Sequence, residues 1–185
     1  MNKKRIWFII PTTILPYLTL LAVATTLLST THPVFEFIMD SVFGSNGIYL
    51  IATLLLCYMF AAGLSIICFV LSIRRGWDSL SLAKSAVIIK LIQVPAYIII
   101  FILGVLFSIT IFTLPFVMAF IFLNCLTLIS TGLLTTAAVI NAVRQGVFKS
   151  EEVILLMLLQ IVFCADVVAS IVFYLRLRKR FCLVQ

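Results

Sequence analysis

Between Leu91 and Val143 the chain has no Asp, Glu, Lys or Arg. One helix of that length would be about 80 Å long at about 1.5 Å per residue, whereas a bilayer core is about 30 Å thick. The run is therefore expected to cross a membrane, turn and cross back. Charge is scarce throughout: 6 acidic and 13 basic residues, 10% of 185. Histidine occurs once, so no Ser–His–Asp arrangement can be argued, and His32 beside Glu36 and Asp40 lacks the clustered ligands of a metal site. The 7 glycines are scattered and form no phosphate cradle. Cysteines 57, 68, 125, 164 and 182 include no CxxC pair. Four of them sit in apolar runs, where they read as small packed thiols. Cys182, beside the basic tail, is a juxtamembrane position of the kind that can carry a lipid. Together these absences point away from enzyme chemistry, and no cofactor or metal is expected.

Apolar residues fill the space. They make up 64% of the chain, with a mean hydropathy of +1.32, against about 45–50% apolar in soluble domains. A core this small could not bury them, so lipid is the solvent that accepts them. The net charge of +7 does not indicate nucleic-acid binding. Its basic residues come in short clusters between apolar runs, the pattern of loops that touch anionic headgroups.

Residues 1–185 read as a single all-α membrane domain, a polytopic helical bundle of about five spans. The first is 6–28, after Lys3, Lys4 and Arg5, with Pro11 and Pro16 inside it. The alternative is a cleaved leader ending near Ala22-Val23-Ala24. Residues 33–43 carry apolar side chains at helical spacing and read as a short interfacial helix, closed by Gly44-Ser45-Asn46-Gly47. The second span is 48–73, stopped by Arg74, Arg75 and Gly76. Residues 79–93 look amphipathic and are expected to lie partly along the interface before the chain dives at Pro95. The third span is 87–107 and the fourth 115–140, with a turn at Ser108–Thr113. Asn141–Glu152 reads as a polar loop, and 153–175 as the fifth span.

Five spans put the two ends on opposite faces. With the N-terminus cytoplasmic, nine basic residues lie inside, at positions 3, 4, 5, 74, 75, 84, 90, 144 and 149, and four outside, Arg176, Arg178, Lys179 and Arg180. The positive-inside rule favours that orientation, yet it strands the basic tail. An even number of spans would bring the tail inside. One route keeps the Leu91–Val143 hairpin and makes another apolar segment re-entrant.

Charge at membrane depth is costly and flags function by default. Asp166 is the candidate, about 22 Å into the fifth span. Asn124 falls at a comparable depth on the fourth, so an Asp166–Asn124 hydrogen bond is expected, with Lys90 too near the inner face to take part. Gln93 completes the candidate polar site. Asn124, Thr127, Thr131, Thr135, Ala138 and Ala142 step by three and four along the fourth span, with Gly132 beside them. They read as a seam for close helix packing. Thr12, Pro16, Thr19, Val23, Thr26 and Thr30 make a similar stripe on the first span.

The stretch Lys90-Leu91-Ile92-Gln93-Val94-Pro95-Ala96-Tyr97-Ile98, continuing through Thr110-Ile111-Phe112-Thr113-Leu114-Pro115, resembles small uncharacterised membrane proteins of low-GC Gram-positive bacteria. The resemblance implies a bacterial plasma membrane and no particular chemistry. The expected role is an accessory or interaction subunit of a larger membrane complex. The alternative is a small transporter in which Asp166, Asn124 and Gln93 converge on a cavity, and a membrane enzyme ranks last. Expected partners are the lipid bilayer and another membrane protein.

Overall fold

The computed structural model describes residues 3–109, 111–148, 153–154, 157, 159 and 165–184, with the side chains of 3–9, 112 and 182–184 outside the description. Helix α1 covers Lys3–Leu28 and continues through both of its prolines. After a short turn Pro33 opens α2, Pro33–Phe43. Proline suits a first helical turn, where its missing N–H has no partner to lose. Gly44 ends α2 in the left-handed conformation, with φ of 56° and its N–H on the Met39 carbonyl. That conformation costs glycine nothing. The expected interfacial helix is thus a discrete element with no buried residue.

Asn46 starts α3, Gly47–Arg74, by accepting the Ile48 N–H at 2.9 Å. Asp78 starts α4 by accepting the Ser81 N–H at 2.8 Å. Helix α4 then runs unbroken over Ser79–Phe107. The expected change of direction between an interfacial stretch and a span at Pro95 does not occur. Of the polar residues behind that expectation, Lys84 is exposed and Ser81 half-buried, but Ser85 and Lys90 face inward and are buried, so they mark a packed face. A single 3-10 turn, Ile111–Thr113, joins α4 to α5, Leu114–Arg144. The hairpin turn falls where polarity concentrates in the sequence. Asn141 belongs to α5, where it is buried, and not to the polar loop that was expected to begin with it. Helix α6 covers Ala165–Val184 and carries Arg176–Arg180 within it. Most of the first half of the expected 153–175 span lies outside the described residues.

Four helical stretches are long and apolar enough to cross a membrane: Ile10–Leu28, Gly47–Arg74, Ser79–Phe107 and Leu114–Arg144. Large apolar side chains such as Ile48, Leu56, Phe60 and Phe101 point outward and are more than half exposed. Water would not tolerate a surface of this kind, and hydrocarbon favours it. The chain is an all-helical transmembrane bundle. Helix α4 packs against α5, α1 and α6, and α3 packs against α1 and α5.

Two buried clusters hold it. The larger lies toward the end where α3 gives way to α4, and gathers Leu82, Ala86, Ala138, Ala142, Phe173 and Leu177 among others. Alanines from α4 and α5 bring those backbones close, as helix packing in lipid requires. The smaller joins Leu15, Tyr58, Ala61 and Leu123 nearer the opposite end.

Candidate functional site

Lys90 is the most deeply buried charge among the described residues, 1% exposed, and its Nζ donates to Asp166 Oδ1. Nζ also donates to Ser170 Oγ at 2.7 Å. Asp166 and Ser170 are one helical turn apart on α6, so both face the same point on α4. A lysine in hydrocarbon normally extends its stem to carry the ammonium back to the interface. Here α6 covers that route and supplies the counter-charge.

This overturns two expectations. Lys90 does pair with Asp166, and the Asp166–Asn124 bond is not the one formed. The first rested on the nearness of Lys90 to the inner face, the second on a fifth helix packed beside α5. In the structure α6 packs mainly against α4, and Asp166 lies level with Lys90. Asn124 lines instead the groove between α4 and α5, with Gly104 and Ser108, farther along α4 than Lys90.

Gln93, one turn above Lys90, is fully buried, and its Nε2 donates to the Thr12 carbonyl at 2.6 Å. That carbonyl is the one Pro16 leaves without a helical partner, because proline has no N–H to return four residues back. The reciprocal contact lies alongside. Pro95 removes the donor for Leu91, and Tyr17 of α1 donates its hydroxyl to the adjacent Ile92 carbonyl at 2.5 Å. The two proline-containing helices thus each donate to a carbonyl of the other, and the Gln93 bond meets the one that Pro16 leaves open. Tyr97, one turn further, donates to Gln93 Oε1 at 3.2 Å. Gln93 is therefore engaged on both sides of its amide.

The threonine stripes lie inside the bundle. Thr127, Thr131, Thr135 and Ala138 are all buried, with Gly132 half-buried beside them. On α1, Thr12, Pro16 and Thr19 are buried, whereas Thr26 and Thr30 are exposed and Thr25 takes the inward position. The two stripes meet through Tyr58 of α3, which the sequence reading did not single out. Its hydroxyl is 2.9 Å from Thr19 Oγ1 and 3.3 Å from Thr127 Oγ1. The available signal was a lone phenol in the middle of an apolar span.

A second polar knot fixes the end of α3. Asn141 Nδ2 donates to the Ser72 and Trp77 carbonyls at 3.1 and 3.0 Å. Arg144 Nη1 donates to the Ile73 carbonyl at 2.9 Å, and Ser79 Oγ to Gln145 Oε1 at 2.6 Å. The bonds of Asn141 and Arg144 tie α5 to carbonyls at and just beyond the end of α3, and the Ser79–Gln145 bond ties the start of α4 to the end of α5. Among the described residues no three His, Cys, Asp or Glu side chains come together as a metal site.

The cavities near these groups are apolar. A cavity of about 250 Å³ touches Asp166, Val94, Tyr97, Phe101 and Leu128. A groove of about 570 Å³ continues from Phe101 and Leu128 to Gly104, Ser108, Ile121 and Asn124, between the far halves of α4 and α5.

Residues 7–180 match the model of a family of unknown function, DUF6652. The chain belongs to that family. The match covers all four apolar spans and most of α6, so the ion pair and the proline contacts lie within the family region. Neither a curated protein nor a solved structure matches the chain. Chemical inference therefore rests on the geometry above.

Proposed function

We propose that the protein is a non-enzymatic accessory subunit, a multi-pass component that packs against another helical membrane protein. The observation that supports this reading is where its polar groups point. Lys90, Asp166, Ser170 and Gln93 are bonded to one another or to backbone inside the bundle, while the large groove that opens at the surface is lined mainly by apolar side chains, with Ser108 and Asn124 among them. A solute path would need polar groups facing a wet cavity. A packing surface needs shape and apolar area. The same reading places the protein in a bacterial plasma membrane with the N-terminus cytoplasmic, its basic residues against anionic headgroups and no nucleic-acid partner.

Site-specific photocrosslinking tests the proposal. A photoreactive residue at Phe101 or Ile121 is expected to give one discrete protein adduct at high yield. The same residue at Ile66 or Leu56, on outward positions of α3, should give lipid adducts only. Equal, diffuse labelling from all four positions would sink the subunit reading.

One observation favours a second reading, a small transporter. The 250 Å³ cavity reaches the Asp166 side of the ion pair, so a proton or cation could exchange there. Proton-coupled flux in proteoliposomes, abolished by Asp166→Asn, would establish transport and displace the subunit proposal.

A further inference from the structure

We infer that α6 does not cross the membrane. It begins within the near half of the bilayer and runs to the face where α5 ends, so that the chain returns to that face. The Lys90–Asp166 pair latches its inner end. The inference is independent of the subunit proposal and fails separately from it.

The far end of α6 sits beside the end of α5. Arg180 Nη1 donates to the Val147 carbonyl at 2.8 Å, and its guanidinium lies 4.2 Å over the Phe148 ring. Phe148 in turn packs on Phe173 at 5.7 Å. The end of α5 is also where α3 passes into α4, through the bonds of Asn141, Arg144 and Ser79. So the C-terminal part of α6, the end of α5 and the 74–78 turn share one face.

The near end of α6 is inside. Asp166 meets Lys90, eleven residues into α4 from Ser79, or about 16 Å. From there Ala169, Phe173 and Leu177, at four-residue spacing, line the cluster that contains Ala86, Leu82, Ala138 and Ala142. Helix α6 therefore runs back along the first part of α4 toward the face from which α4 set out. A spanning helix of the opposite direction could not make both contacts.

The described part of the connection stays at that same end. Between Phe148 and Ala165 lie 16 residues. The four described positions among them are helical, Val153 is buried in the same cluster as Phe148, and Met157 packs against it.

The charges agree. Helix α1 antiparallels α3, since Thr12 shares a small cavity with Ser65 while Thr19 meets Tyr58. Lys3, Lys4 and Arg5 thus begin at the same face as Arg74, Arg75, Lys84, Arg144 and the α6 arginines, and Lys149 follows Phe148 directly. Of the 13 basic residues, all but Lys90 then belong to one face, and Lys90 forms the latch. The opposite face has Glu36 and Asp40 and no basic residue. Nine against four becomes twelve against none, and both chain ends are cytoplasmic by the positive-inside rule.

Cysteine labelling in sealed vesicles of known orientation tests the topology. In a background with the five native cysteines replaced by serine or alanine, Ser45→Cys, Gly146→Cys and Gln185→Cys are probed singly with a membrane-impermeant maleimide. Cysteines at 146 and 185 should label from one side and the cysteine at 45 from the other. Labelling of 185 from the side that labels 45 would make α6 part of a true fifth span and overturn the inference. The latch is read by hydrogen exchange. Asp166→Asn should raise exchange in 166–180 at least tenfold and leave α1 and α3 unchanged, and the exchanged pair Lys90→Asp with Asp166→Lys should restore protection. Unchanged exchange in Asp166→Asn would remove the latch.

Discussion

At the basic end of the bundle, side chains bond from helix to helix at successive levels: Asn141 and Arg144 to the end of α3, Lys90 to α6, Gln93 to α1. Toward the opposite end α4 and α5 meet through aromatic rings, with Phe107 stacked on Phe120 at 5.9 Å and tilted on Phe116 at 6.1 Å, and a large apolar groove opens between them. Tyr58 marks the boundary. Lipid tails are as apolar as leucine, so apolar contact alone gives helices little reason to prefer one another over lipid. Hydrogen bonds and close alanine contacts therefore fix the register at the basic end. The far halves of α4 and α5 can change neighbours at low cost, which suits them to meet a partner.

The largest way to break this contrast is to remove half of the ion pair. Asp166→Ala leaves a buried ammonium without its counter-charge and should cost about 3–5 kcal/mol. Denaturant titration in mixed micelles measures it. Replacing both partners, Lys90→Met with Asp166→Leu, should recover most of that loss, because a well-packed apolar pair often matches a buried ion pair. A double variant as unstable as Asp166→Ala would mean that packing, and not charge, holds α6.

Next comes the proline contact. Gln93→Leu strands the Thr12 carbonyl in an apolar setting, which should cost about 1–3 kcal/mol. Pro16→Ala gives that carbonyl a backbone N–H four residues on. In the Pro16→Ala background the Gln93→Leu penalty should shrink markedly, and additive losses in the cycle would refute the coupling. At the boundary, Tyr58→Phe keeps the ring and removes the hydroxyl between Thr19 and Thr127. Intramembrane hydrogen bonds average about 0.6 kcal/mol, and a loss of that size is expected in the same titration.

Local signals made much of the fold legible. The charge-free run announced the α4–α5 hairpin, and Pro33 with Gly44 bounded α2 almost to the residue, because caps and turns depend on neighbouring residues. The site was less legible. Lys90 and Asp166 are 76 positions apart, and no periodicity reports which helices become neighbours. Lys90 was also expected to lie too near the inner face to reach Asp166. Only the placement of α6 over it decides otherwise. Gln93 was singled out for its polarity, but its role depends on a proline on another helix.

The smallest effect is expected in the far groove, and it sharpens the contrast most directly. Ile121 lines that groove and is 53% exposed. Ile121→Ala removes apolar volume, but lipid or detergent chains can fill the space, so stability should change by no more than about 0.5 kcal/mol. Ala138 lies at the basic end with no exposed surface. There Ala138→Leu must force α4 and α5 apart, and about 1–3 kcal/mol should be lost to overpacking. Measured side by side, the two substitutions separate a face made for lipid or a partner from one made for the chain itself. A loss at Ile121 equal to that at Ala138 would mean that the far halves of α4 and α5 are as tightly committed to each other as the near halves.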